Sequence, residues 1–206
     1  MKKAVKSTMN TGSRLYTACE SYRILYLAAR SFSTLKRAMK LNILSPSMKE
    51  RIMLCVTQVN GCAMCSYAHT QAALEAGLGE SEIRQLLGGY MEDADAEELP
   101  ALLFAQHYAN SRGTPSQKAW QQVVSVYGNE KAKAILAAIR VIMAGNTLGI
   151  PIGSLKGRFS GNTDLRSSLG YELKMLACAV IFVPTVCIHA LVSALLRRNF
   201  MDNILN

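Results

Sequence analysis

Across 206 residues the apolar side chains return at helical spacings, and nowhere does a run alternate polar and apolar residues as a half-buried strand would. That periodicity restricts the chain to an all-helical fold. From Ser13 to about Lys40, residues Leu15, Ala18, Tyr22, Leu25, Ala29, Phe32 and Leu35 mark one long helix. Pro46 announces a turn, Met48 to Val59 reads as a second helix, and Asn60 and Gly61 suit its end, because both tolerate the left-handed backbone that closes helices. A third helix opens at Cys62 and runs to about Ala76, with Gly77 as its stop.

Further along, Gly79 to Ser81 caps a short helix that ends near Gly88 and Gly89. The acidic stretch Glu92, Asp93, Asp95, Glu97 and Glu98 reads as a solvated loop. Helices are expected over Leu102 to Asn110, over Ser116 to Tyr127 with Gly128 closing it, and from an Asn129 cap through Ile142. Five glycines and Pro151 between Gly145 and Gly161 make that segment the least regular. It is expected to divide a core over residues 1–160, which includes the basic N-terminal helix, from apolar C-terminal helices over residues 161–206. These are either part of the same domain or a membrane or oligomer contact.

Charge is distributed unevenly. The net +9 arises mostly in residues 1 to 40, where Lys2, Lys3, Lys6, Arg14, Arg23, Arg30, Lys36, Arg37 and Lys40 face the single acid Glu20. Such a field favours anionic lipid, nucleic acid or an acidic patch on another subunit, and a solvated helix face is the plain alternative. Nucleic acid is not among the expected partners. No secretory signal follows Lys2 and Lys3, which favours a cytoplasmic location and reduced thiols over a disulfide framework. Residues Met175 to Leu196 carry no full charge and are long enough to cross a bilayer, but Pro184 is expected to break the run, and His189 and Ser193 are polar. An apolar surface covered by another subunit would read the same way.

Chemistry concentrates in the stretch from Glu50 to His69. With Cys62 at the start of a helix, steps of about 100° place Cys65 and His69 on its face. Two cysteines separated by two residues at a helix N-terminus bring their sulfurs within reach of each other, and the positive helix end favours the thiolate. A thiolate attacks a hydroperoxide, and a second thiol condenses with the resulting sulfenic acid. His69, one turn beyond Cys65, is placed to remove the proton, and Glu50 on the preceding helix could orient the imidazole.

A Glu twelve positions before a Cys-x-x-Cys, whose second Cys precedes a His by four, resembles the alkylhydroperoxidase D and carboxymuconolactone decarboxylase superfamily over roughly residues 45 to 150. The resemblance implies an all-α, alkylhydroperoxidase D-like helical bundle, here with a C-terminal apolar helical appendage. It assigns Glu50 and His69 to a proton relay, Cys65 to the thiol that becomes the sulfenic acid, and Cys62 to the proton donor and resolving thiol. Met64 stands where the alkylhydroperoxidase D type often has a second His, and the decarboxylase branch generally lacks the cysteine pair.

The expected function is therefore a thiol-dependent peroxidase or disulfide oxidoreductase with no cofactor and no metal. Its partners would be a hydroperoxide, a thiol or lipoyl-type reductant and further copies of the chain in a homo-oligomer, with a membrane-surface contact through residues 175–196 as an additional possibility. Two alternatives stand beside it. One is a non-enzymatic redox or zinc-binding module at a membrane surface, with Cys55 or His69 completing the zinc site. The other is a proton-transfer enzyme that uses His69 as base. Cys19, Cys55, Cys178 and Cys187 read as small core residues, and His107 and His189 as packed or surface side chains.

Overall fold

The computed structural model describes residues 13–91 and 94–196. Lys2, Lys3 and Lys6 of the basic arm, and Glu92 and Asp93 of the acidic stretch, lie outside the described residues. Seven helices and no strand occur among the described residues: α1 Ala18–Lys40, α2 Pro46–Asn60, α3 Ala63–Glu75, α4 Glu80–Gly88, α5 Leu99–Asn110, α6 Gln117–Phe159 and α7 Leu169–Leu195. The all-α bundle expected from the periodicity is the fold observed.

Local chemistry sets most of the boundaries. Helix α1 begins five residues later than the apolar pattern suggests, because Thr17 and Glu20 form a reciprocal capping box: the Thr17 hydroxyl accepts from the Glu20 N–H and the Glu20 carboxylate accepts from the Thr17 N–H. Ser45 caps α2 with Pro46 in its first turn, a place where the missing N–H costs no helical hydrogen bond. Gly61 ends α2 in the left-handed region, at φ 65° and ψ 43°, as its position after Asn60 led us to expect.

Helix α2 lies at the centre and packs against α3, α4, α5 and α6, while α1 packs along α6 and α7. The core is built from the inner faces of these helices, with Ile52, Leu54, Val56, Leu102, Ile135, Leu136 and Ile139 fully or almost fully buried. Arg51, on α2, reaches two acids of neighbouring segments, Glu82 at 2.5 Å and Glu98 at 3.2 Å. Part of the acidic stretch is thereby tied down, while Asp95 and Glu97 remain exposed as expected of a solvated loop.

Two expectations about the second half of the chain are corrected. First, the segment from Gly145 is not irregular, since α6 runs through it and through Pro151 to Phe159. Its glycines at 145, 149, 153 and 157 recur every four residues and so form one bare stripe. Along that stripe α6 approaches α3, with Gly149 and Gly153 both facing Met64. Close packing, not irregular structure, accounts for their number. Gly128, by contrast, does interrupt the helix as expected, so that α6 is two helical runs joined across a kink at that residue. Its backbone, at φ 72° and ψ 167°, occupies a region that residues with a Cβ avoid. Second, the apolar C-terminal stretch is one helix that continues past Pro184.

Helix α7 rests one side on α1 and α6, where Tyr26 donates to Ser193 and Arg158 pairs with the buried Glu172. His189 stacks on Tyr26, with ring centroids 4.3 Å apart, and bonds to the Tyr22 hydroxyl. The other side is bare: Val180, Ile181, Ile188, Leu191 and Leu195 are each more than half exposed. Among the described residues two helices, α6 and α7, are long and apolar enough to cross a membrane. The apolar window of α6 is 72% buried inside the bundle, against 11% for that of α7. Exposure also corrects the reading of the outlying cysteines. Cys55 is buried, Cys178 is half-buried, and Cys19 and Cys187 are exposed, because they fall on the outer faces of α1 and α7.

Candidate functional site

The turn between α2 and α3 creates the site. Because Gly61 turns left-handed, the chain reverses within two residues, and α3 folds back beside α2 with Cys62 as its N-cap. A thiol takes the place usually held by a hydroxyl: Cys62 Sγ accepts from the Cys65 N–H at 3.3 Å. That bond brings the Cys62 sulfur over the first turn of α3, where it lies within disulfide-bonding reach of Cys65 Sγ. The two Cα atoms are 5.3 Å apart, an ordinary separation for a disulfide. Both sulfurs are sheltered, Cys62 being 1% exposed and Cys65 7%.

The same reversal carries Glu50 to His69. The Glu50 carboxylate, 1% exposed, accepts from His69 Nδ1 at 2.7 Å through one oxygen and pairs with Lys49 Nζ at 2.6 Å through the other. Burial alone would push this carboxyl up, but hydrogen bonds from His69 and Lys49, reinforced by the electrostatic attraction of both groups, hold it below the ordinary value of 4.5. Glu50 is thus an anion at neutral pH and can only accept. The proton on His69 must then sit on Nδ1, which leaves Nε2 as the free base of the neutral ring.

All four residues singled out from the sequence therefore meet in two pairs, Cys62 with Cys65 and Glu50 with His69. The pairs lie one helical turn apart on α3. Among the described residues no hydrogen bond joins the imidazole to either sulfur.

Three contributors were not anticipated. Lys49 is one, since neighbours in a helix sequence point to different sides and the sequence gives no reason for its amine to curl onto Glu50. Gly149 on α6 is another: a Cβ there would stand 2.7 Å from Cys65 Sγ and 2.8 Å from Cys62 Sγ, closer than van der Waals contact allows. The third is Arg166, beyond α6, whose guanidinium donates to the carbonyl of Gly61 at 2.8 Å. A cavity of about 60 Å³ lies beside this group, bordered by Gly61, Ala63, Gly149, Gly153 and Asp164. A larger one, about 570 Å³, lies on the Arg166 side between residues 13–18 and the start of α7.

Among the described residues no three His, Cys, Asp or Glu side chains converge as ligands for a metal ion. The fully buried Cys55 has its thiol pushed up to about 12 by burial alone, which makes it a poor nucleophile. His107 accepts from the Ser116 N–H at the start of α6, and so helps to anchor that helix.

A family model described as carboxymuconolactone decarboxylase family matches residues 27–107, from the middle of α1 to the last turn of α5. The match spans less than half of the chain, and over these residues the sequence is similar to that family. The matched segment holds Glu50, Cys62, Cys65 and His69, whereas Gly149 and Arg166 lie beyond it. Comparison with curated proteins and with solved structures found no match.

The Gly149 contact makes a direct prediction. Gly149→Ala should force the sulfur pair or α6 to move, lowering stability by about 1–3 kcal/mol in urea denaturation, as overfilling a packed site does. Unchanged stability would show that α6 does not bear on the sulfurs.

Proposed function

We propose that this chain is a thiol-dependent peroxidase or disulfide oxidoreductase, in which Cys65 and Cys62 carry the electrons and Glu50 and His69 carry the proton. The observation that supports this reading most is the coincidence of two sulfurs within bonding reach and a carboxylate-oriented imidazole on the same helix. Either pair alone has ordinary structural uses.

In the proposed cycle His69 Nε2 takes the Cys65 proton, and the thiolate attacks the terminal oxygen of a hydroperoxide. The S–O bond forms as the O–O bond breaks, and the departing alkoxide takes the Cys62 proton to leave as alcohol. Cys62, now a thiolate beside the sulfenic acid, attacks the Cys65 sulfur. Hydroxide leaves with the proton held by His69 and becomes water. One hydroperoxide is reduced by two electrons, two thiols become one disulfide, and a dithiol reductant resets the pair. The buried Glu50 anion favours the imidazolium that exists between the two proton transfers.

The bare outer face of α7 needs a cover, and the reading includes a second copy of this chain as that cover. Light scattering at micromolar concentration should then give a mass above the 22.5 kDa of one chain. A monomer would contradict it.

The chemistry is tested by hydroperoxide consumption with a dithiol reductant. Cys65→Ser should abolish turnover and Glu50→Gln should lower it by about 10²–10⁴-fold, the usual worth of a positioned base. Full activity in Cys65→Ser would remove the sulfur from the reaction and favour proton-transfer chemistry at His69.

A further inference from the structure

Arg166 sits in the connection between α6 and α7, more than one hundred positions from Cys62 in sequence, yet its side chain closes on the turn that leads into the cysteine pair. One terminal nitrogen donates to the Gly61 carbonyl at 2.8 Å and to Asp164 Oδ2 at 2.7 Å. The other donates to the Asn60 carbonyl at 3.3 Å and to the hydroxyl and carbonyl of Ser13. Nε donates to Asp164 Oδ1 at 3.0 Å, so the carboxylate grips the guanidinium at two points. Asp164 also accepts from the Arg166 backbone N–H and from the Ser154 hydroxyl. Both charged side chains are nearly closed off, 12% and 13% exposed.

Such a fork, fixed by a bidentate carboxylate and spread over two consecutive carbonyls, immobilises the backbone immediately before Cys62. The turn it holds is the one in which Gly61 takes a left-handed conformation and Cys62 presents its sulfur to the first turn of α3. Thiol–disulfide equilibria depend on how closely the reduced chain already holds its two sulfurs, because a preorganised pair loses little freedom on joining.

We propose that Arg166 is a positioning residue for the Cys62–Cys65 pair, which it holds ready to close by fixing the Asn60–Gly61 carbonyls, with Asp164 orienting it. This rests on the redox reading above. It adds that a segment outside the superfamily match sets the poise of the pair, through fork geometry rather than charge alone.

The test is the equilibrium of the full-length protein with dithiothreitol, quenched by alkylation and read by mass spectrometry at the Cys62–Cys65 peptide. In that exchange the protein disulfide gains two electrons and two protons, and dithiothreitol becomes its cyclic disulfide. Arg166→Met should move the equilibrium about tenfold towards the dithiol, a shift within the range of charge-assisted hydrogen bonds. Arg166→Lys should move it nearly as far, because one ammonium cannot replace the fork. Asp164→Asn should give a smaller shift in the same direction, and decides the matter if the Arg166 variants do not fold. A wild-type equilibrium in folded Arg166→Met, full rescue by Lys, or no shift in Asp164→Asn where it alone folds, would overturn the assignment. Should the unaltered protein form no Cys62–Cys65 disulfide even in fully oxidised buffer, the redox reading itself falls. That failure is distinct from the others.

Discussion

A carboxylate shut inside a helical bundle has to be hydrogen-bonded and neutralised, or it picks up a proton. Glu50 meets that requirement by taking His69 on one oxygen and Lys49 on the other. Much of the site follows from this arrangement. The imidazole is fixed in one tautomer, its second nitrogen is left free, and α3 is fastened to α2 at a point one turn beyond the cysteine pair. The turn at Gly61 makes the pairing possible, because only a tight reversal brings a residue from the first half of α2 level with the middle of α3.

The segment that matches the family model contains the four candidate residues but does not enclose them. Gly149 of α6 lies against both sulfurs, and Arg166 with Asp164 holds the backbone that precedes them. Helix α6 thus has two tasks, as the long wall of the core and as the bare stripe against which α3 packs. Its glycines at 149 and 153 serve the second task, and Pro151 does not end the helix. Leaving a helical residue without a side chain costs conformational entropy. At Gly149 that cost is offset by room for two sulfur atoms.

How much of this could be read in advance depended on how local each determinant was. Helix type was legible throughout, because apolar spacing and glycine stops act over a few residues: Gly61, Gly77 and Gly89 all lie in the left-handed region at or near helix ends. The grouping of Glu50, Cys62, Cys65 and His69 was legible because helical pitch and one short turn connect them. Gly145 to Gly161 was misread as irregular because a glycine every four residues weakens an isolated helix but suits one packed against a neighbour, and the neighbour is not visible in the segment itself. Arg166 and Lys49 carried no local signal at all, since their partners are chosen by tertiary packing. Cys19 and Cys187 were misplaced for a related reason: an apolar setting in sequence does not tell which face of a helix turns inward.

The central claim is that Cys65 and Cys62 form one two-electron couple. Its most direct test is intact-protein mass spectrometry after a single equivalent of hydroperoxide, with peptide mapping of the joined sulfurs. The account predicts a loss of two hydrogens per chain, located in a Cys62–Cys65 disulfide, with Cys55 untouched. Oxygen retained elsewhere, or a sulfur pair left reduced while the hydroperoxide persists, would contradict it.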